Sequence, residues 1–153
     1  MSRCLSFPIR AAMAVATMAL GLFSAVAADS RPAITEPAKV IQFDHDQKSL
    51  CEGLPGCEFI LLAGDPTKSA TQWLFRLRAG QAFPKHWHST PENMVSVRGA
   101  LAFNFENGQR HTLRPGDYLH YQAGMIHWGQ CEQAEDCLFY VFNDQSYDIH
   151  VIP

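Results

Sequence analysis

Gly80-Gln81-Ala82-Phe83-Pro84-Lys85-His86-Trp87-His88-Ser89-Thr90-Pro91-Glu92-Asn93-Met94-Val95-Ser96-Val97-Arg98-Gly99 decides how this chain is read. His86-Trp87-His88 sits in a strand-like segment, and a period of two puts both imidazoles on one face with Trp87 on the other. Ser89-Thr90-Pro91 reads as a turn, so Glu92 opens the next strand and can return to the same face. A third histidine, His127, follows Gly124 on a later hairpin. A lone histidine is ordinarily a core or surface residue. Three neutral imidazoles and one carboxylate at these spacings instead suit one divalent transition metal (Mn, Fe, Co, Ni, Cu or Zn), with positions left open for water or substrate.

Outward from this stretch, the chain from Val40 onward shows no sustained helical periodicity. Trp73, Phe75 and Leu77 alternate with Leu74, Arg76 and Arg78, and Leu101, Phe103 and Phe105 alternate with Ala102, Asn104 and Glu106. Leu138, Tyr140 and Phe142 alternate with Phe139, Val141 and Asn143. Asn107-Gly108 predicts a two-residue hairpin turn of the primed type, with both residues at positive φ. Arg114-Pro115-Gly116-Asp117 is a second turn, and Phe59 to Leu62 and Ile149 to Ile152 read as edge pieces. Short alternating runs between Gly, Pro, Asn and Asp predict an all-β barrel or sandwich. No internal repeat is present, so the expectation is one barrel, and the aromatic stripes are its core.

The residues around the histidines carry a family likeness. Gly80, five residues, His86-x-His88, three residues, Glu92, six residues and Gly99 match the first cupin motif at every defining position. The second motif is met by Gly116, Gly124 and His127, with Gln122 where the family has proline and Cys131 where it has asparagine. Sixteen residues separate the two, a spacing that resembles small bacterial monocupins. The resemblance implies a single jelly-roll-like cupin barrel over residues 40–153 with His86, His88, Glu92 and His127 as metal ligands. It permits dioxygenases, decarboxylases, isomerases and binding proteins without turnover. Oxalate-decarboxylating cupins carry an arginine three positions before the first histidine. This chain has Phe83 there, which cannot clamp a carboxylate.

Residues 1–28 read as a secretory signal peptide: Arg3 and Arg10, an apolar run from Ala11 to about Phe23, then small residues ending at Ala27-Ala28. The apolar run is short for a bilayer span of about 20 residues. Residues 29–39, with Pro32 and Pro37, predict an extended arm. Export implies a periplasmic or secreted protein. Removal of the leader leaves ten basic against fifteen acidic residues, a balance that argues against nucleic acid and against anionic membranes as partners. Cys51/Cys57 and Cys131/Cys137 form two equally spaced pairs, and an even count in an oxidising compartment points to disulfides. Two local bridges are favoured over a thiol metal site, whose cysteines ordinarily lie closer in sequence. Cys131 as a thiol near the metal is the competing role for that residue.

The expected function is a metal-dependent enzyme on a small organic molecule, with an oxygenase as the favoured activity and a binding protein without turnover as the alternative. His120 and Tyr118 are the candidate proton-transfer residues, and Arg76 and Arg78 are candidates for holding an anion. His45, His111 and His150 fall outside both motifs and are expected at the surface. Metal should leave as the pH falls through the imidazole range near about 6.5. A homodimer through edge strands is compatible with the sequence.

Overall fold

The structure is a computed structural model, described here for residues 36–153. The leader expected over residues 1–28, and most of the arm after it, lie outside these residues. Residues 39–153 form one compact unit. Eleven strands make it up: β1 Ser49–Leu50, β2 Cys57–Gly64, β3 Thr71–Leu77, β4 Ala82–Trp87, β5 Glu92–Arg98, β6 Leu101–Phe105, β7 Arg110–Leu113, β8 Tyr118–Tyr121, β9 His127–Cys131, β10 Cys137–Asn143 and β11 His150–Val151. Among the described residues there is no helix, and so none long and apolar enough to cross a membrane.

The strands form two antiparallel sheets, in the orders β1-β2-β3-β10-β5-β8 and β11-β4-β9-β6-β7. Alternation decides what each sheet turns inward. Trp73 and Leu77 of β3, Leu101, Phe103 and Phe105 of β6, and Val141 of β10 are buried in one core. Arg76, on the opposite phase of β3, points away and pairs with Glu58 and Asp44. The fold is an all-β barrel of two facing sheets, as the alternating runs require.

Local chemistry sets the register that matters. Pro84 lies in β4 and has no N–H to give a ladder, and the pairing of β4 with β9 shifts between Phe83 and His86. That irregularity brings His86 directly opposite His127. The Asn107-Gly108 turn is corrected: only Gly108 takes positive φ, at 91°. Gly108 N–H donates to Phe105 C=O at 3.0 Å, and Asn107 Oδ1 accepts from Gln109 N–H at 3.0 Å. This is an ordinary turn closed by a glycine, because Asn107 meets its side-chain need without entering the left-handed region.

Both cysteine pairs lie at disulfide distance, with Cα atoms 5.3 Å apart for Cys51–Cys57 and 5.8 Å for Cys131–Cys137. Such pairs suit an oxidising environment. The second joins the end of β9 in one sheet to the start of β10 in the other, and both sulfurs are buried. Gly99 faces this joint at φ 78°, and a Cβ there would stand 2.9 Å from the Cys137 Cα. Only glycine fits so close to backbone.

Candidate metal centre

Strand pairing assembles the site. His127 at the start of β9 faces His86 on β4 and Phe105 on β6, while Glu92 opens β5 opposite Tyr121 on β8. One ring nitrogen from each of His86, His88 and His127 lies within 4.8 Å of the others. The ring centres are 4.1 Å apart for His86–His127 and 4.9 Å for His86–His88. All three imidazoles are buried. Glu92, also buried, stands just beside this cluster, its Oε2 3.5 Å from His88 Nε2.

The other nitrogen of each ring is already committed. Nδ1 of His86 lies 2.9 Å from Pro84 C=O, that of His88 2.5 Å from Asp148 C=O, and that of His127 2.8 Å from Met125 C=O. A carbonyl can only accept, so each Nδ1 carries the proton and each neutral ring turns a bare Nε2 lone pair inward. Tyr121 O–H donates to Glu92 Oε1, which leaves a phenol lone pair 3.2 Å from His127 Nε2. Three unprotonated nitrogens thus converge in a buried space with a carboxylate oxygen beside one of them, which is a donor set fit for a cation. Backbone carbonyls on ring N–H groups are the arrangement that fixes histidine ligands at metal centres.

Burial shapes the charge states. It lowers His86 to about 4 and His127 to about 3, each further disfavoured by neighbouring imidazoles. Burial raises Glu92, an effect tempered by His88, Tyr121 and Asn143. Tyr121 and Tyr147 are pushed well above the usual phenol range by burial first and by the Glu92 charge second, so both keep their protons at neutral pH. The imidazole window expected near 6.5 therefore lies lower for His86 and His127.

Strand phase separates the remaining candidates. Tyr118 and His120 lie on the outer phase of β8, where Tyr118 O–H donates to Asn93 Oδ1 at 2.6 Å and His120 Nδ1 meets the same oxygen at 2.9 Å. Neither lines the cavity beside the histidines. Tyr121, three residues after Tyr118, does. Arg76 and Arg78 are spent on Glu58, Asp44 and Asp136 outside the barrel. His45, His111 and His150 are exposed. Cys131, as half of the pair with Cys137, is no ligand.

Tyr147, which sequence reasoning also passed over, follows β10 and folds back over the site. Its ring lies 5.1 Å from His88 and 5.6 Å from Trp73. A cavity of about 430 Å³ opens beside the histidines, in the lower part of the roughly 300–1,000 Å³ range of small-molecule sites. Phe83 packs against His86 and His127 on one side, and Phe59, Phe75 and Phe139 lie on the other.

Residues 73–143 match the cupin domain family. That span, just under half of the chain, resembles a cupin domain. The matched span holds His86, His88, Glu92 and His127, most of β3, and the strands β4 to β10. The chain is 29% identical over 97 residues to the DNA damage-repair/toleration protein DRT102 of Arabidopsis thaliana, which covers 63% of this chain but only 29% of the plant protein. Among solved structures, the chain resembles the polyketide cyclase RemF of Streptomyces resistomycificus, with a TM-score of 0.65 and 14% identity over 76% of this chain and 87% of that one. It also resembles a salicylate 1,2-dioxygenase from Pseudoaminobacter salicylatoxidans solved with gentisate, with a TM-score of 0.54 and 20% identity over 64% of this chain and 30% of that one. At such identities these likenesses establish the fold and leave the chemistry to the site.

Proposed function

We propose that this protein is an exported enzyme that uses one divalent transition metal, held by His86, His88, Glu92 and His127, to act on a small organic molecule, with oxygenation as the favoured reaction. The observation that carries the reading is the convergence of three imidazole nitrogens, each ring fixed from behind by a carbonyl, with the Glu92 carboxylate beside His88. A metal bound there supplies Lewis acidity and open positions for an oxygen donor. The protein's own residues do the rest. Pro84, Met125 and Asp148 carbonyls hold the rings in one tautomer. Tyr121 fixes one oxygen of Glu92 and leaves Oε2 directed at the His88 side. Tyr147 keeps its proton and offers a hydrogen-bond donor to a substrate oxygen, while the aromatic wall excludes water.

Relatives of this fold include a cyclase and a dioxygenase, which supports a catalytic reading over a passive one. Export is supported by the two cysteine pairs at disulfide distance and by the composition of residues 1–28. The second reading, a binding protein without turnover, draws on one observation: the phenols nearest the donors are both held protonated, so no neighbouring base is poised at neutral pH. Oxygen uptake by the metal-loaded protein with catechol-like and diketone substrates tests the choice. Metal-dependent uptake coupled to product is expected; stoichiometric metal without turnover across the panel favours the binder.

A further inference from the structure

The wall of the cavity is graded. From the donor cluster, aromatic rings follow one another outward: His88 to Tyr147 at 5.1 Å, Tyr147 to Trp73 at 5.6 Å, and Trp73 to Phe59 at 5.3 Å. Phe59, Phe75 and Phe139 sit opposite one another on three paired strands, β2, β3 and β10, and form a row across the sheet. Phe75 and Phe139 are stacked, with centres 5.7 Å apart and planes 14° apart. The histidines, Glu92 and Tyr121 gather at one end, and the phenylalanine row lies beyond Trp73 at the other.

Charge sharpens the contrast. Among the described residues that line the cavity, none is lysine or arginine, and the only carboxylates are Glu92 at the donor end and Glu52. Arg76 sits on the opposite phase of β3 from Trp73 and Phe75, Arg78 follows just past the end of that strand, and both are already paired with acids. An anionic group carried into the aromatic end would lose its water and gain no partner. Glu52 lies on the exposed loop closed by the Cys51–Cys57 pair, so the one charge there repels anions as well.

From this asymmetry we infer that the ligand is a two-ended molecule: an oxygen-donor edge that meets the histidine cluster, and a fused or substituted aromatic ring, free of charge, that lies along Trp73, Phe75 and Phe139. The donor edge rests on the metal reading above; the uncharged far end rests on the wall alone. Small acids whose second charge would reach the far end are excluded as substrates, and a single-ring diol leaves the phenylalanine row unfilled.

Calorimetric titration with naphthalene-2,3-diol and with its 6-sulfonate tests this, because the two share the donor edge and differ only at the far end. The diol should bind the metal-loaded protein at least tenfold more tightly than the sulfonate. Glu52→Lys, an exposed loop change, should narrow that gap several-fold by raising sulfonate affinity. Equal affinities, tighter sulfonate, no diol binding, or a gap that ignores Glu52→Lys would each overturn the assignment. The same titration on metal-free protein separates this from the metal reading. Discrimination in a protein that never takes up metal supports the ligand class and removes the metal. Stoichiometric metal without discrimination removes the ligand class alone.

Discussion

Tyr121 holds the centre of the site at the level of single residues. Its proton goes to Glu92 Oε1, and its oxygen lies 3.2 Å from His127 Nε2. Tyr121→Phe should leave the barrel folded, because the ring still packs on Phe103 and Phe105. Partners that orient a ligand are worth about 10–100-fold in metal affinity, so competition with a chromophoric chelator should report a loss of that size. Unchanged affinity would show that Glu92 needs no such support. The pH dependence is set at the same scale. Unfolded histidines protonate near 6.5, whereas in the fold His86 does so at about 4 and His127 at about 3. Between those limits the unfolded chain binds more protons, so stability is lost as the pH falls. Glu92 acts in the opposite sense: its raised folded value means the folded state takes up a proton first, which offsets part of the loss. Two groups against one predict a falling Tm for metal-free protein from pH 6.5 towards 4, and a steeper fall in Glu92→Gln. A Tm that is flat or rises over this range would contradict the assigned burial effects.

Strands and turns decide which of these residues meet. His86 and His88 were legible because His-Trp-His has only one reading in a strand, and Trp87 duly lies outside, stacked on His150. The phase of β8 was not legible. Tyr118-Leu119-His120-Tyr121 has no clear polar and apolar alternation, so nothing in it says which tyrosine faces the core. The pairing Glu92↔Tyr121 settles that, and pairing is a long-range property. Pro84 has no N–H for the ladder, but that alone does not say how far the register moves, and His86↔His127 depends on the shift. Tyr147 carries no pattern at all, since it enters through a loop. The joint at Cys131–Cys137 makes a prediction of its own. It closes a loop between residues six apart, worth about 2 kcal/mol in the chain-entropy account. Replacing both cysteines by serine should lower stability by about that amount in denaturant titration. Gly99→Ala should also destabilise, because its Cβ would stand 2.9 Å from Cys137 Cα. A neutral Gly99→Ala would mean the joint can yield.

The whole molecule is two sheets whose facing sides divide the labour. The sheet holding β4 and β9 brings all three histidines, counting His88 just past the end of β4, and the other brings Glu92, Tyr121 and most of the aromatic row. Both motifs, the all-β class and the single barrel could be read from local patterns, since alternation and turn residues are local. The cavity could not, because its shape follows from the packing of strands distant in sequence. The central claim is that this barrel holds one divalent metal on His86, His88, Glu92 and His127. It is tested most directly by elemental analysis of the protein and of His127→Ala, each loaded with divalent metal and desalted at neutral pH. The account predicts one metal per chain in the parent protein and a small fraction of that in the variant. An empty parent protein, or one metal per chain in both, would contradict it.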